Sequence, residues 1–425
     1  MNKIELNKAK LNGEVILPPS KSISHRAIIC ASLAEGETSH IKNVDLSDDI
    51  RATISCCRRL GATIVYNNID KSLEIKGNII KEDNKIVEFD CNESGSTLRF
   101  IIPIAMINMK KTKFIASEGL SKRPLDAYFE IFDNNKIAYK TNQGKLPLYI
   151  NDTLSVDEFY IDGSISSQFI TGLMMAAPLV KKDVKIILKN ELESKSYVDL
   201  TMDVMKNFGI EVDISIVDNK YEFYIKKNQK YSGIEYEVEA DCSQVAFWAV
   251  ANYLGSEIKY NSIEKSSQGD FAIFKHLHEL SDMRKKYNID EKKIKYSIDA
   301  KNIPDIIPIL SLAASLTKGV EVNIINAARL RIKECDRLSA TYDIIKELGG
   351  NIYEYDDALK IIGIDELNGD AFLDSYNDHR IAMMIGIAAT IANKKITLSN
   401  YESVKKSYPK FWKDYENLNG NIRYL

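Results

Sequence analysis

The chain has few of the residues that mark metal and disulfide proteins. Of its 425 residues, six are cysteine and five are histidine. The cysteines form no C-x-x-C pair, which is typical of reduced thiols in a cytosolic protein rather than of a disulfide framework or a zinc site. The histidines include no H-E-x-x-H motif. The sequence therefore predicts neither a bound metal nor a cofactor.

Charge and hydropathy exclude two further classes of protein. The formal net charge is -3, whereas a general nucleic-acid surface requires an excess of basic residues. No apolar run is long enough to span a bilayer, and no signal peptide precedes the first apolar strand. With 45% hydrophobic and 28% charged residues, the composition is that of a globular protein. We expect a cytoplasmic protein that binds neither nucleic acid nor membrane.

The chain contains an internal repeat. A short apolar strand, a polar turn and a helix of small apolar residues recur six times, at a spacing of about 60 to 80 residues. The copies span residues 15–33, 87–106, 159–177, 236–251, 296–314 and 372–389. In three copies a second helix follows and ends at Gly61, Gly209 or Gly349, where glycine suits the left-handed position that closes a helix.

This repeat predicts an α/β protein of two domains. The first helix of each copy is apolar on nearly all sides, so it belongs inside, beneath a sheet. A length of 425 residues exceeds one ordinary core, and three repeats in each domain is the simplest division. We expect the chain to cross between domains near residues 238–241, although no Gly/Ser linker marks that point.

The polar turn at residues 18–26, P-P-S-K-S-I-S-H-R, starts the first of these helices. Ser20 or Ser22 is a natural N-cap, and the first amides of a helix, together with its dipole, attract anions. Lys21 lies at this start, and Arg26 lies one turn beyond Ser22 on the same face. Taken alone, the stretch fits a capped helix with two solvated cations better than a binding site, because short motifs recur by chance.

Similar residues stand at the other helix starts. Each has a plain explanation by itself: Asp305 follows Pro304 as a turn or N-cap residue would, and Arg331 and Arg337 lie beside acidic residues as surface ion pairs do. Their recurrence at equivalent positions instead predicts a cavity for a small, highly anionic ligand. The residues concerned are Gly95, Ser96, Arg99, Arg123, Ser166, Ser167, Gln168, Ser194, Tyr197, Asp305, Lys333, Arg337, Arg380 and Lys406.

Five motifs give the chain a resemblance to a known family. They are P-P-S-K-S-I-S-H-R, E-S-G-S-T-L-R, G-S-I-S-S-Q-F, R-I-K-E-C-D-R-L and N-D-H-R-I-A-M. In order and spacing they resemble the EPSP synthase (3-phosphoshikimate 1-carboxyvinyltransferase) family over nearly the whole chain. The resemblance implies a two-domain inside-out α/β barrel, each domain having three βαβαββ units with helices inside and sheets outside. It implies an N-terminal lobe of residues 20–239, and a C-terminal lobe of residues 1–19 and 240–425, closing over the substrates.

The resemblance also implies a reaction and its residues. The enolpyruvyl group of phosphoenolpyruvate passes to the 5-hydroxyl of shikimate 3-phosphate through a tetrahedral intermediate, and phosphate leaves, in a monomer without metal or cofactor. Asp305, Glu334 and Lys21 would be catalytic. Shikimate 3-phosphate would meet Lys21, Ser22, Arg26, Ser166, Ser167, Gln168, Ser194, Tyr197, Asp305 and Lys333. Phosphoenolpyruvate would meet Lys21, Gly95, Arg123, Gln168, Arg337, Arg380 and Lys406.

Some positions depart from the family pattern, and other functions compete with this one. Glu93 and Arg329 stand where asparagine is common in the family, while Gly95 favours sensitivity to glyphosate, which competes with phosphoenolpyruvate. The related transferase acting on UDP-N-acetylglucosamine typically has Lys-Asn in place of Lys21-Ser22, and a cysteine-bearing loop that residues 118–124 lack. An RNA-end-processing relative would interleave aromatic and basic residues. A non-catalytic anion-binding repeat protein would not need Asp305 or Glu334.

Overall fold

The computed structural model of the protein describes residues 2–80, 84–218, 220–261, 263, 265–290 and 292–425. The chain divides into two compact units. Unit 1 comprises Met1–Pro18 and Ala240–Leu425, and unit 2 comprises Pro19–Glu239. Among the described residues, no helix is both long and apolar enough to cross a membrane.

The secondary-structure elements alternate along both units. The α-helices are α1 (Lys21–Leu33), α2 (Asp48–Leu60), α3 (Gly95–Asn108), α4 (Glu118–Ser121), α5 (Asp126–Asn134), α6 (Ser167–Ala176), α7 (Lys195–Asn207), α8 (Cys242–Tyr253), α9 (Ala272–Asp290), α10 (Ile307–Ser315), α11 (Arg337–Glu347), α12 (His379–Ala389) and α13 (Phe411–Asn417). Short 3-10 helices cover Ala177–Val180, Gly269–Phe271, Ala300–Asn302, Ala328–Ile332 and Tyr401–Lys406.

The strands are β1 (Lys3–Asn7), β2 (Asn12–Val15), β3 (Thr38–Lys42), β4 (Thr63–Asn67), β5 (Ser72–Lys76), β6 (Val87–Asp90), β7 (Thr112–Ile115), β8 (Tyr139–Asn142), β9 (Lys145–Ile150), β10 (Glu158–Ile161), β11 (Val184–Leu188), β12 (Asp213–Val217), β13 (Lys220–Ile225), β14 (Glu235–Glu237), β15 (Glu257–Tyr260), β16 (Ile294–Asp299), β17 (Val320–Ile325), β18 (Asn351–Tyr355), β19 (Ala358–Ile362), β20 (Ala371–Asp374), β21 (Ile396–Ser399) and β22 (Asn421–Tyr424).

Among the described residues, five four-stranded sheets share one pattern of strand directions. In unit 2 the orders are β14-β3-β5-β4, β6-β7-β9-β8 and β10-β11-β13-β12; in unit 1 they are β16-β17-β19-β18 and β20-β21-β1-β22. In each, the first two strands are parallel and the remaining pairs are antiparallel. The parallel register sets Phe89 of β6 opposite Phe114 of β7, and the two rings stack. In the described part of unit 1, β15 and β2 form a further parallel pair.

In two copies of the repeat, the leading strand and the helix that follows it lie in different units. β2 precedes α1 of unit 2 but pairs with β15 in unit 1. β14 precedes α8 of unit 1 but pairs with β3 in unit 2. The strand and helix of the copy at residues 236–251 therefore belong to different units. The reason is that the chain changes units in the polar turn, after the leading strand has already paired in the unit that the chain is leaving.

The burial pattern shows that the apolar first helices of the repeats lie inside. Every residue of α10 and α12 is buried, and so is every residue of α6 except Gln168. The strands alternate instead: in β10, Phe159 and Ile161 are buried while Glu158 and Tyr160 are exposed, so one face of the sheet packs on the helices. The α/β prediction, with helices inside and sheets outside, is confirmed. Gly209 and Gly349 have φ of 87°, as the helix-ending glycines require.

Candidate active site

The first helix of unit 2 begins at the predicted polar turn. Ser20 has extended backbone angles, and its Oγ accepts a hydrogen bond from the Ile23 amide at 3.4 Å, so Ser20 is the N-cap and Ser22 lies in the first turn. Nζ of Lys21 lies 2.8 Å from Oδ2 of Asp49, near the start of α2. Asp49 was not identified from the sequence, because nothing in the local pattern links residues 28 positions apart.

Arg26 is a buried cation held by neutral oxygens. It is 3% exposed and donates to the Ser22 carbonyl at 2.7 Å, to Thr201 Oγ1 at 2.8 Å and to the Tyr197 carbonyl at 3.1 Å. Burial lowers the pKa of its guanidinium to about 10. Among the described residues Arg26 bonds no carboxylate. A buried charge of this kind is stabilised when an anion binds beside it.

Two arginines approach the start of α3 because residue 95 has no side chain. Ser94 caps this helix by accepting from the Thr97 amide at 3.2 Å. A Cβ at Gly95 would lie 2.9 Å from Nη1 of Arg99 and 3.0 Å from Nη1 of Arg123. Any larger residue would displace one of these guanidinium groups. Two cations therefore lie close to helix amides that also attract anions.

Gln168 joins the starts of α3 and α6. Its backbone amide donates to the N-cap Ser166 at 3.3 Å. Its Oε1 accepts from Nη1 of Arg99 at 2.7 Å, while its Nε2 donates to Ser96 Oγ at 2.9 Å. Sequence reasoning placed Arg99 at a helix start but assigned it no role. Its spacing of four residues from Gly95, which sets both on one face of α3, was the available signal.

The remaining predicted residues of unit 2 surround the start of α7, which packs on α1 and α6. Ser194 is buried and has φ and ψ of 50°, in the left-handed region that is strained for a residue with a Cβ. Such strain is common at ligand sites. Tyr197 follows in the first turn of α7, and its carbonyl accepts from Arg26. Ser167 is buried at the first position of α6.

The predicted residues of unit 1 meet around Arg337. This side chain is 1% exposed and donates to Asp305 Oδ1 at 2.8 Å, to Asp378 Oδ2 at 2.9 Å and to Glu334 Oε2 at 2.5 Å. Burial opposes its charge, but the three carboxylates outweigh that effect and raise the pKa of Arg337 well above its usual value. Arg337 does pair with Glu334 within its own segment, as the sequence allowed, but the pair is buried rather than on the surface. Asp378 was not predicted to belong to the site, although it lies two residues before Arg380 in the N-D-H-R motif.

Asp305 faces three cations rather than capping a helix. It lies in the turn before α10, whose N-cap is Ile306. Besides Arg337, its oxygens lie 3.6 Å from Nζ of Lys333 and 3.5 Å from Nη2 of Arg380. Burial lowers the pKa of Lys333 to about 8, and Arg329 and Arg337 act in the same direction while Asp305 opposes them. Lys333 therefore titrates close to neutrality.

Two further cations of the predicted site, Arg380 and Lys406, are positioned by the N-D-H-R motif. Oδ1 of Asp378 caps α12 by accepting from the Arg380 amide at 2.7 Å. The Arg380 guanidinium donates to the Ser243 carbonyl at 3.1 Å and to Ser243 Oγ at 2.8 Å. Nζ of Lys406 donates to the Asn377 carbonyl at 2.7 Å. One turn thus positions Arg337, through Asp378, together with Arg380 and Lys406.

Two further residues, Arg331 and Glu93, have contacts of their own. Arg331 pairs with Asp336 at 2.9 Å and Glu354 at 2.8 Å, so the ion-pair explanation holds for this arginine. Glu93 accepts a hydrogen bond from Ser117 Oγ. No group of His, Cys, Asp and Glu side chains among the described residues is arranged to hold a metal ion.

The fold is that of the enolpyruvyl transferases. An EPSP synthase structure from Acinetobacter baumannii superposes with a TM-score of 0.76 at 20% identity, with all of both chains covered. The enolpyruvyl transferase NikO from Streptomyces tendae gives a TM-score of 0.70 at 14% identity, covering 100% of this chain and 99% of the other. At these identities the likeness concerns the fold alone.

Sequence comparison is more specific. The family model described as EPSP synthase (3-phosphoshikimate 1-carboxyvinyltransferase) matches residues 6–415. A 3-phosphoshikimate 1-carboxyvinyltransferase from Clostridium botulinum is 47% identical, covering 99% of this chain and 98% of the relative. One from Clostridium perfringens is 46% identical, with all of both chains covered. The chain belongs to the EPSP synthase family, and the family predicted from the five motifs is confirmed.

Proposed function

We propose that this chain transfers the enolpyruvyl group of phosphoenolpyruvate to the 5-hydroxyl of shikimate 3-phosphate and releases phosphate. As a member of its family the chain is an enzyme, a transferase of the shikimate pathway, which leads to chorismate and the aromatic amino acids. The observation that carries the proposal for its own residues is the close approach of the Arg99 and Arg123 guanidinium groups to Gly95. The two substrates carry about -1.5 to -2 charges per phosphate, besides their carboxylates.

Unit 2 supplies most of the proposed contacts to shikimate 3-phosphate. Arg26 takes its carboxylate, since this buried guanidinium bonds only neutral oxygens among the described residues. Lys21 and Ser22 lie in the same helical turn. The phosphate end meets the starts of α6 and α7, where helix amides favour an anion. The residues proposed there are Ser166, Ser167, Gln168, Ser194 and Tyr197.

Phosphoenolpyruvate is proposed to meet seven residues of the chain. Gly95 lets a backbone amide approach it, and Arg123 presents a planar fork that suits phosphate or carboxylate. Gln168 and Lys21 are shared with the other substrate. Unit 1 contributes Arg337, Arg380 and Lys406. These cations are pre-positioned by the hydrogen bonds of Asp378, Ser243 and Asn377, so little reorganisation accompanies binding.

The proposed chemistry is addition followed by elimination. Asp305 takes the proton of the 5-hydroxyl, with Lys333 beside it, while the methylene carbon gains a proton. The new C–O bond gives a tetrahedral intermediate; the methyl group then loses a proton as the C–O bond to phosphate breaks. Glu334 and Lys21 serve the methylene and the leaving phosphate. The contact of Lys333 with Asp305 supports an ionised Asp305 as the base.

The test follows phosphate release from the purified chain. Phosphoenolpyruvate and shikimate 3-phosphate together should release phosphate and form the enolpyruvyl ether, whereas either substrate alone should not. Replacing shikimate 3-phosphate by UDP-N-acetylglucosamine tests the related transferase activity and should give no release. Binding of both anions without turnover would contradict the proposal and favour a non-catalytic anion-binding protein.

Localisation and oligomeric state are further proposals. We propose a cytoplasmic monomer. The six cysteines, all in the described part of the chain, are thiols rather than disulfides and five of them are buried, which suits a reducing compartment. Light scattering of the purified chain measures its oligomeric state directly. Gly95 favours competition by glyphosate against phosphoenolpyruvate, because a side chain at this position would displace Arg99 or Arg123.

A further inference from the structure

Helix α3 contains a proline at the turn that follows the glycine site. Pro103 has no backbone N–H, so it cannot donate the usual helical hydrogen bond to the carbonyl four residues earlier, which is that of Arg99. The hydroxyl of Tyr128 lies 2.5 Å from this carbonyl oxygen. Tyr128 thus replaces the donor that the proline removes. A buried carbonyl at this place needs such a partner.

The same hydroxyl lies where three segments of unit 2 meet. Tyr128 belongs to α5, Arg99 to α3, and the Phe169 carbonyl of α6 lies 3.2 Å from the hydroxyl. A Cβ at Gly172 of α6 would lie 2.3 Å from the Arg99 carbonyl oxygen and 2.5 Å from the Tyr128 hydroxyl. The helices are therefore in closest approach at this junction. Burial raises the pKa of Tyr128 well above its usual value, so the hydroxyl keeps its proton and remains a donor.

Each segment at this junction carries a residue proposed to bind phosphoenolpyruvate. Gly95 lies one turn before Arg99 on α3, Arg123 lies five residues before Tyr128, and Gln168 is next to Phe169. Arg99 links them further, since its guanidinium donates to Gln168 Oε1 at 2.7 Å. A shift at the junction would therefore move all three binding residues relative to one another.

We propose that Tyr128 is a positioning residue for phosphoenolpyruvate: its hydroxyl replaces the helical hydrogen bond that Pro103 removes, and so aligns Gly95, Arg123 and Gln168. The inference rests on the proposed function. Tyr128 touches no reacting atom in this account and acts only through the alignment of these three residues.

The first variant is Tyr128→Phe, which keeps the ring and removes the hydroxyl. Misplacing binding groups by a fraction of an ångström to an ångström should lower kcat/KM for phosphoenolpyruvate by about 10- to 100-fold. The Kd of shikimate 3-phosphate, measured without the second substrate, should change less, by at most about threefold, because Gln168 is the one aligned residue that is also proposed to contact it. If Tyr128 served only the stability of the fold, Tyr128→Phe would lower the fraction of folded protein and would affect both substrates alike.

The second variant restores the missing donor by another route. Pro103→Ala returns an N–H to α3, which can bond the Arg99 carbonyl in the ordinary helical way. In that background, Tyr128→Phe should cost less than about threefold in kcat/KM, so the two substitutions should be strongly non-additive. Additive effects would overturn the proposal, because the tyrosine would then act independently of the proline.

Tyr231→Phe is the matched control. Tyr231 is also a buried tyrosine of unit 2 whose hydroxyl donates to a carbonyl of α6, that of Met175 at 2.8 Å, but none of the residues proposed to bind phosphoenolpyruvate adjoins it in sequence. Its loss should leave kcat/KM for phosphoenolpyruvate within about threefold. An equal loss in Tyr128→Phe and Tyr231→Phe, or unchanged kcat/KM in folded Tyr128→Phe, would overturn the inference. Absence of phosphate release by the unaltered chain would instead refute the proposed function.

Discussion

The pKa of Lys333 allows the proposed contact with shikimate 3-phosphate to be tested by pH alone. This pKa is lowered to about 8, chiefly by burial, with Arg329 and Arg337 acting in the same direction and Asp305 opposing them. If the ammonium form is the one that binds, affinity should fall as pH rises through this value. Loss of the proton removes both the charge and a donor from the contact.

The expected magnitude follows from the fraction of Lys333 that is protonated. With a pKa of about 8, roughly nine tenths of the side chain is charged at pH 7 and roughly one tenth at pH 9. The Kd of shikimate 3-phosphate should therefore rise about tenfold over this interval. The substrate phosphate has its second pKa near about 6, so its charge is nearly constant there.

The assay is a titration of Kd by calorimetry from pH 7 to pH 9, without phosphoenolpyruvate. Lys333→Arg keeps its charge throughout, so its Kd should be nearly independent of pH whatever its absolute value. Lys346→Arg, an exposed lysine on α11, should retain the unaltered profile. A flat profile in the unaltered chain, or a tenfold rise that persists in Lys333→Arg, would refute the reasoning.

Three further predictions concern single contacts. Asp305→Asn should lower kcat by about 10²- to 10⁴-fold in the phosphate-release assay, because the proposed base is lost. The control variant Asp343→Asn, on the surface of α11, should keep its kcat. If kcat of Asp305→Asn stayed within about threefold of the unaltered chain, the assignment of Asp305 as the base would be contradicted. Gly95→Ala should raise KM for phosphoenolpyruvate about tenfold or more, since the new methyl would meet Arg123 at 3.0 Å; an unchanged KM would show that the guanidinium yields freely. Arg26→Gln should weaken shikimate 3-phosphate binding by about 30-fold or more in calorimetry, and unaltered binding would remove Arg26 from the site.

The helix starts were readable from sequence because their signals are local. Ser20 and Ser166 cap the helices that they precede, and each cap bond spans only two or three residues. Gly95 likewise stands at the start of α3, as its turn sequence predicted. The six-fold repeat and the buried first helices followed from periodic apolar residues, which report which face of an element is covered.

The partners of the site residues were not readable in this way. Lys21 pairs with Asp49 across 28 residues, and Arg337 bonds Asp378 across 41. Arg99 bonds Gln168 across 69 residues. Such pairs depend on how helices pack, and packing leaves no fixed spacing in the sequence.

By itself, the sequence determined the repeat, the helix starts with their cations, and the family, because each depends on residues a few positions apart or on motifs in order. Only the tertiary structure decided which cations are buried beside carboxylates and which are held by neutral oxygens, the difference that separates Arg337 from Arg26. It also decided that the carbonyl left by Pro103 meets Tyr128. The physical reason is that hydrogen bonds and charge interactions depend on distance in space, which chain folding sets only once all the helices and sheets have packed.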